Sequence, residues 1–394
     1  MGIDDQTRSP QDHTPDRGRT GPLIDRPLFF GGEVFRASTY GEWHPLRIPR
    51  VSTATDLSRA MGWLGPDQYR NCPRAKPAAL TLWHDPDYIA ALQAAEAALE
   101  VDSETRTRFN IGTHSNPVFP EMYRRPATGA GGSLLAGELL AHGGVIYHPA
   151  GGTHHGMPDR ANGFCYLNDP VLGMLSLRRS GVRRIAYIDI DAHHCDGVEH
   201  GFAGDMEALL VSVHEARRWP FTGALGDEGG GNCFNLPVAR GLNDDEMAYI
   251  RDHLILPVVT AFRPDAVILQ CGADAVEEDP LSRLSLSNNA HWAIVRALMG
   301  IASRYLVLGG GGYNPWSVGR LWAGVWGALN GYEVPIDIPD PARDVLGALT
   351  WAGSPKSRPV LPHMKTTLRD LPRNGAIRDD IRRDVATLRA RDVP

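Results

Sequence analysis

The run DIDAHHCDG places three carboxylates and two imidazoles within eight residues, Asp189 to Asp196, directly after the apolar stretch RRIAYI. Burying unpaired charge is costly, so a strand end carrying this much of it implies a bound cation or a catalytic cluster. Alternate residues of an extended segment share a side, which groups Asp189, Asp191 and His193. Asp191 and His193 can reach one cation, with Asp189 also available there. A salt-bridged strand end without chemistry is the plain alternative. Asp274, in CGADAVEEDP, supplies a remote third ligand, giving two carboxylates and one imidazole. Three protein ligands with a position left for water is the pattern of a catalytic divalent metal site. Zinc (Zn2+) suits the set first, and carboxylate-rich ligation also accepts Fe2+ or Mn2+.

Other chemistry-bearing residues follow neighbouring apolar runs. His154 and His155 lie in a Gly-rich loop after GVIYHPA. By itself such a pair is more often merely hydrogen-bonded than catalytic. The run LGGGGYNPW ends its glycines in Tyr313, a phenol able to donate to a developing oxyanion. Its glycines alone would mark only a flexible turn. Ser212 and Val213 close another apolar run, and their hydroxyl and backbone oxygens could hold a monovalent ion beside the carboxylates.

Elements that would position these residues alternate along the chain. Strands are expected at 78–82, 144–147, 184–189, 208–213, 266–270 and 304–308, and helices at 86–98, 120–142, 168–180, 243–262, 287–300 and 315–330. Short β-branched runs interleaved with helices predict an α/β fold with a parallel sheet covered on both faces. Ligands bind such a sheet beyond the carboxyl ends of its strands, and all the clusters fall on that rim. No repeat or linker divides this region. The expected organisation is a disordered tail over 1–25, one catalytic domain over 26–375 and a C-terminal helical extension over 376–394.

The chain has 394 residues, 42% hydrophobic and 22% charged, enough for a sizeable core and unlike a disordered or fibrous sequence. Forty basic against 46 acidic side chains give a net charge of −6, which argues against a nucleic-acid partner. Five scattered cysteines without a Cys-x-x-Cys motif argue against a disulfide framework and fit a reducing compartment. No run approaches the ~18 apolar residues of a membrane span, and the N-terminus lacks a signal-peptide core. A soluble cytoplasmic protein is expected, with no membrane partner.

The runs HPAGGTHHGMPDRANGFCYLND, DIDAHHCDGVEHGF, CGADAVEEDP and LGGGGYNPW, with HPLRIPR and HDPDYI upstream, resemble the zinc-dependent histone deacetylase family. That family includes bacterial acetoin-utilisation-type proteins and acetylpolyamine amidohydrolases. The resemblance spans about residues 27 to 335, in the family's order. It implies a three-layer arginase/deacetylase sandwich around an eight-stranded parallel sheet. Asp191, His193 and Asp274 resemble the family's zinc ligands. His154 and His155 resemble its two active-site histidines, paired with Asp189 and Asp196 respectively, and Tyr313 its carbonyl-polarising tyrosine. Asp189, Asp191, His193, Ser212 and Val213 resemble a structural potassium (K+) site. Gly163, Phe164 and Trp219 resemble walls of the acyl-chain tunnel, and Arg50 an arginine in the pocket beneath the metal. Departures are Gly156 for a common Ala, Cys195 for a common Gly, a 215–223 loop without Pro-Gly-Thr-Gly, and His114 and Ser115 where an acid often grips substrate.

The resulting expectation is a metal-dependent amidohydrolase acting on acyl-lysine in a protein or peptide, or on a small acyl amine. His155 is expected as general base and acid, and Tyr313 as the carbonyl-polarising group. Alternatives are an acetylpolyamine amidohydrolase, a two-manganese ureohydrolase and an inactive acyl-amine binding protein. The ureohydrolase would need a second carboxylate two residues past Asp274, where Val276 stands. Loops 111–119 and 215–223 set His114, Ser115, Arg217 and Arg218 against only Glu215, a rim that favours acetyl-lysine over polyamines.

Overall fold

The computed structural model of the chain describes residues 26–36, 40, 44–351 and 360–394. The tail expected over 1–25 lies outside the described residues. Eight strands form one all-parallel sheet: β1 (Leu28–Gly31), β2 (Tyr69–Asn71), β3 (Gly144–His148), β4 (Ile185–Asp189), β5 (Ala208–Glu215), β6 (Cys233–Val238), β7 (Ala266–Gln270) and β8 (Arg304–Leu308). Their spatial order is β2-β1-β3-β8-β7-β4-β5-β6. Every residue of β4, β5 and β7 is buried, as apolar parallel strands require when both faces are covered.

The helices are α1 (Val51–Ala60), α2 (Pro77–Leu80), α3 (Pro86–Ala98), α4 (Ser103–Phe109), α5 (Arg124–Leu139), α6 (Asp169–Arg179), α7 (Asp196–Phe202), α8 (Asp244–Ile250), α9 (Leu256–Phe262), α10 (Asn288–Leu298), α11 (Pro315–Leu329), α12 (Asp340–Gly347) and α13 (Asp379–Arg389). Helix α5 packs on α6, and α1 and α10 both pack on α11. Sheet and flanking helices make the expected three-layer α/β sandwich. The apolar face of α13 (Ile381, Val385 and Leu388) joins the main core beside α8 and β6.

Residues 78–82 are not a strand. Pro77 opens the short helix α2 there, and an apolar run this short carries no periodicity to separate strand from helix. The helix expected over 243–262 is instead α8, a π-helical turn over Arg251–Ile255, and α9. Pro257 explains the break, because it lacks the N–H that would continue an α-helical ladder.

Candidate active site

Strands β3, β8, β7 and β4 are contiguous in mid-sheet, and their carboxyl ends launch the four chemistry-bearing loops. His154 and His155 follow β3, Tyr313 follows β8, Asp274 follows β7, and Asp191 and His193 follow β4. Segments far apart in sequence thus converge on one rim.

One ligand atom each from Asp191, His193 and Asp274 lies within 4.8 Å of the others. His193 Nδ1 is 2.9 Å from Asp274 Oδ2 and 3.2 Å from Asp191 Oδ1. Those spacings approach the ~3.3–3.5 Å edge of a tetrahedron with ligand bonds near 2.1 Å. Both carboxylates are pre-positioned by main-chain donors. Gly311 N donates to Asp191 Oδ2 at 2.7 Å, and Ala192 N to Asp274 Oδ1 at 3.0 Å. Asp191 and Asp274 are buried with this imidazole, and two buried carboxylates facing one nitrogen call for a cation. The donor set therefore fits a divalent metal.

Both histidines after β3 meet the carboxylates that the resemblance pairs with them. His154 Nδ1 lies 2.8 Å from Asp189 Oδ2, and His155 Nδ1 lies 2.7 Å from Asp196 Oδ1. Their environments push them apart. Burial opposes charge on His154, but Asp189 and Asp191 outweigh it and raise the imidazole to about 9. Burial and then the neighbouring His154 lower His155 to about 4. One ring is thus suited to carry charge and the other to accept a proton at Nε2.

Tyr313, His155 and His193 line a cavity of about 740 Å³, together with Gly163, Phe164 and Trp219. The Trp219 ring crosses His155 edge-on at 4.5 Å between centroids. Gly163 has φ +52°, and a Cβ there would fall inside the Trp219 ring, so only glycine permits this wall. Burial, then the charges of Asp274 and Asp191, hold the Tyr313 phenol well above its ordinary value, so it is a neutral donor. Arg50 lines a smaller cavity on the inner side with His154 and Tyr313, where its Nη1 donates to Gly310 O at 2.7 Å. Asp189 lies opposite Ser212 in the β4–β5 register, beside Val213, while Ser212 Oγ lies 2.9 Å from His214 Nδ1.

Comparison with known proteins decides the family. A family model described as Histone deacetylase domain matches residues 44–329. The chain belongs to the histone deacetylase family. A solved histone deacetylase homologue from Aquifex aeolicus superposes with a TM-score of 0.87 at 34% identity, covering 93% of this chain and 100% of that one. A solved homologue complexed with SAHA matches with the same figures. Histone deacetylase 2 of Oryza sativa subsp. japonica is 36% identical over 311 residues, covering 76% of this chain and 60% of the rice protein. Acetoin utilization protein AcuC of Bacillus subtilis (strain 168) is 31% identical over 326 residues, covering 79% of this chain and 84% of that protein. This chain spans about three fifths of the rice relative's length.

Several residues around this site escape a reading by residue type. Asn168 caps α6 and also donates from Nδ2 to the carbonyls of His154 (3.1 Å) and Gly156 (3.0 Å), fixing the histidine loop. Its signal was an Asn immediately before a helical run. Asn162 Nδ2 donates to Asp196 Oδ2 at 3.0 Å, and Asn116 Oδ1 accepts the Phe164 N–H at 3.0 Å. At the rim, Glu215 does not face both arginines alike. Arg218 forms an ion pair with Glu215, whereas Arg217 is exposed.

Proposed function

We propose that this protein is a metal-dependent amidohydrolase that removes acyl groups, acetyl above all, from an amine such as the lysine side chain. The observation that carries this reading is the convergence, at one end of the sheet, of three donors that could hold a metal ion, two His–Asp pairs and a neutral tyrosine, with His155, His193 and Tyr313 lining one cavity. Asp191, His193 and Asp274 would hold the metal, zinc first with iron and manganese accommodated, and when bound it polarises the scissile carbonyl and makes water nucleophilic at neutral pH.

Asp196 orients His155 so that its Nε2 takes a proton from the attacking water and returns it to the leaving amine nitrogen. The new C–O bond replaces the C–N bond, leaving a carboxylate and a protonated amine. His154, charged against Asp189, stabilises the developing negative charge and can share the proton transfer. Tyr313 donates its hydroxyl hydrogen to the carbonyl oxygen as charge accumulates there. Gly163, Phe164 and Trp219 would grip the acyl chain, and Arg50 would serve the inner pocket. Asp189, Asp191, His193, Ser212 and Val213 would hold the structural potassium.

The proposal extends to a soluble cytoplasmic protein acting on acyl-lysine proteins, peptides or small acyl amines. It also takes residues 26–375 as the catalytic domain and 376–394 as its helical extension. No described helix is long and apolar enough to cross a membrane. All five cysteines are buried and free, which suits a reducing compartment. Parallel assays of acetyl-lysine peptides and acetylated polyamines, with metal analysis of the same sample, test the reading. SAHA, carried by the complexed homologue, should inhibit competitively. Two metals per chain would favour a ureohydrolase instead, and no turnover of any acyl amine would leave an inactive binding protein.

A further inference from the structure

We infer that Arg217 forms an anion subsite at the cavity mouth and takes a carboxylate that the substrate carries beside its acylated amine. This rests on the amidohydrolase reading above and names the substrate class for that site.

The loop bearing Arg217 is pinned on both sides. Glu215 N donates to Ala192 O at 2.9 Å, and Ala216 N to Val238 O at 2.8 Å. Arg218 is neutralised by Glu215, and its Nη1 donates to Leu281 O at 2.7 Å. Between these anchors Arg217 has φ +58°, a left-handed conformation that a non-glycine residue rarely adopts without compensation. Its side chain lines the same cavity as Tyr313 and His155, and it is exposed. Among the described residues no carboxylate engages it.

Among the described residues that line the mouth there is also no Asp or Glu. A polycation would meet this arginine, and none of the described lining residues is an acid that would attract it. A carboxylate would meet a planar guanidinium whose forked donors match it. Trp219 and Phe221 flank the site, 37% and 75% exposed, and offer apolar faces for the hydrocarbon frame that carries the carboxylate. Two sources share this chemistry: the α-carboxylate of free acyl-lysine, and an Asp or Glu side chain next to acyl-lysine in a peptide.

The test compares kcat/KM of the metal-loaded full chain at low ionic strength within two substrate pairs. One pair is free Nε-acetyl-lysine and its α-carboxamide; the other is an acetyl-lysine peptide with Glu or with Gln beside the modified residue. The carboxylate member of at least one pair should be favoured about three- to tenfold, mainly through KM, with the margin shrinking as salt rises. The pair that responds identifies the source. Arg217→Ala should bring the ratio near one and Arg217→Glu should invert it. Arg217→Asn tolerates positive φ, and its agreement with Arg217→Ala separates lost charge from a distorted loop. Equal kcat/KM within both pairs, or a preference surviving Arg217→Asn, overturns the subsite. If no substrate is hydrolysed, the amidohydrolase reading fails separately. Calorimetric binding of free acetyl-lysine against its carboxamide then reads the subsite directly, and equal affinities overturn it.

Discussion

The carboxylate of Asp279 accepts the backbone N–H of Tyr313 at 2.6 Å through Oδ2 and, through Oδ1, the N–H of Leu281 at 2.9 Å. One fully buried side chain thereby ties the tyrosine loop to the opposite wall of the cavity. Leu281 O in turn accepts from Arg218, so the tie continues to the rim. Asp279→Asn would turn one acceptor into an NH2 group facing a backbone donor, an unsatisfied arrangement that should displace the loop. We expect kcat to fall about tenfold or more with metal content and KM little changed, because a misplaced electrophile costs transition-state rather than ground-state binding. Steady-state kinetics with metal analysis checks this. An unchanged kcat would mean that the glycine turn alone places Tyr313.

Asp191→Ala or Asp274→Ala should abolish metal binding and turnover together. Each removes one of three converging donors, and each also strands a main-chain N–H that its carboxylate accepts. Metal content after dialysis is the readout. Full occupancy in either variant would refute the ligand assignment.

The residues just named show where a sequence is legible. Strands β3, β4, β5, β7 and β8 are visible because their β-branched runs are buried on both faces. Strand β1 has four residues and β2, at one sheet edge, is the polar YRN, so neither offers a pattern. Strand β6 contains Pro237, which argues against a strand in sequence but is tolerated at the other edge. The proposed metal ligands and the His–Asp partners stand in compact motifs whose residue types carry their chemistry. Asp279 and Asn116 act on the backbone N–H groups of Tyr313 and Phe164, 34 and 48 residues away, so nothing local announces them, and the helix-start signal at Asn168 gives its capping role but not its hold on the histidine loop.

Tyr313→Phe should retain metal and substrate binding and lower kcat by on the order of 10²–10³, the usual loss for one oxyanion donor. His155→Ala should lose about 10²–10⁴, the typical range for a positioned acid–base group, with metal content intact. The comparison of kcat with KM decides the roles. An effect of Tyr313→Phe on KM alone would make the phenol a binding contact and require another electrophile.

Acid should destabilise the fold through His84. Its Nε2 accepts the Asn168 N–H at 3.0 Å while Nδ1–H donates to Met157 O at 3.1 Å, so both nitrogens are committed to the neutral ring. A proton at Nε2 would face the Asn168 N–H inside the core, beside the residue that holds the histidine loop. Burial accordingly lowers His84 from an ordinary 6.5 to about 4, against the weaker pull of the Pro158 and Met157 carbonyls. Between these values the unfolded chain binds a proton that the native state refuses. The contribution of His84 is therefore complete above about pH 6.5 and is lost as pH falls towards about 4. By pH 5 the loss should be on the order of 2 kcal/mol. Other buried histidines such as His44 and His214, lowered to about 4 and about 3, act in the same direction, so the measurement must be a difference. His84→Gln, whose amide can accept from Asn168 and donate towards Met157, should lower stability at pH 7.5 yet lose less of it between pH 7.5 and 5 than the parent. Urea unfolding midpoints at the two pH values give both slopes. Identical slopes would mean that His84 is not the group holding out against protonation.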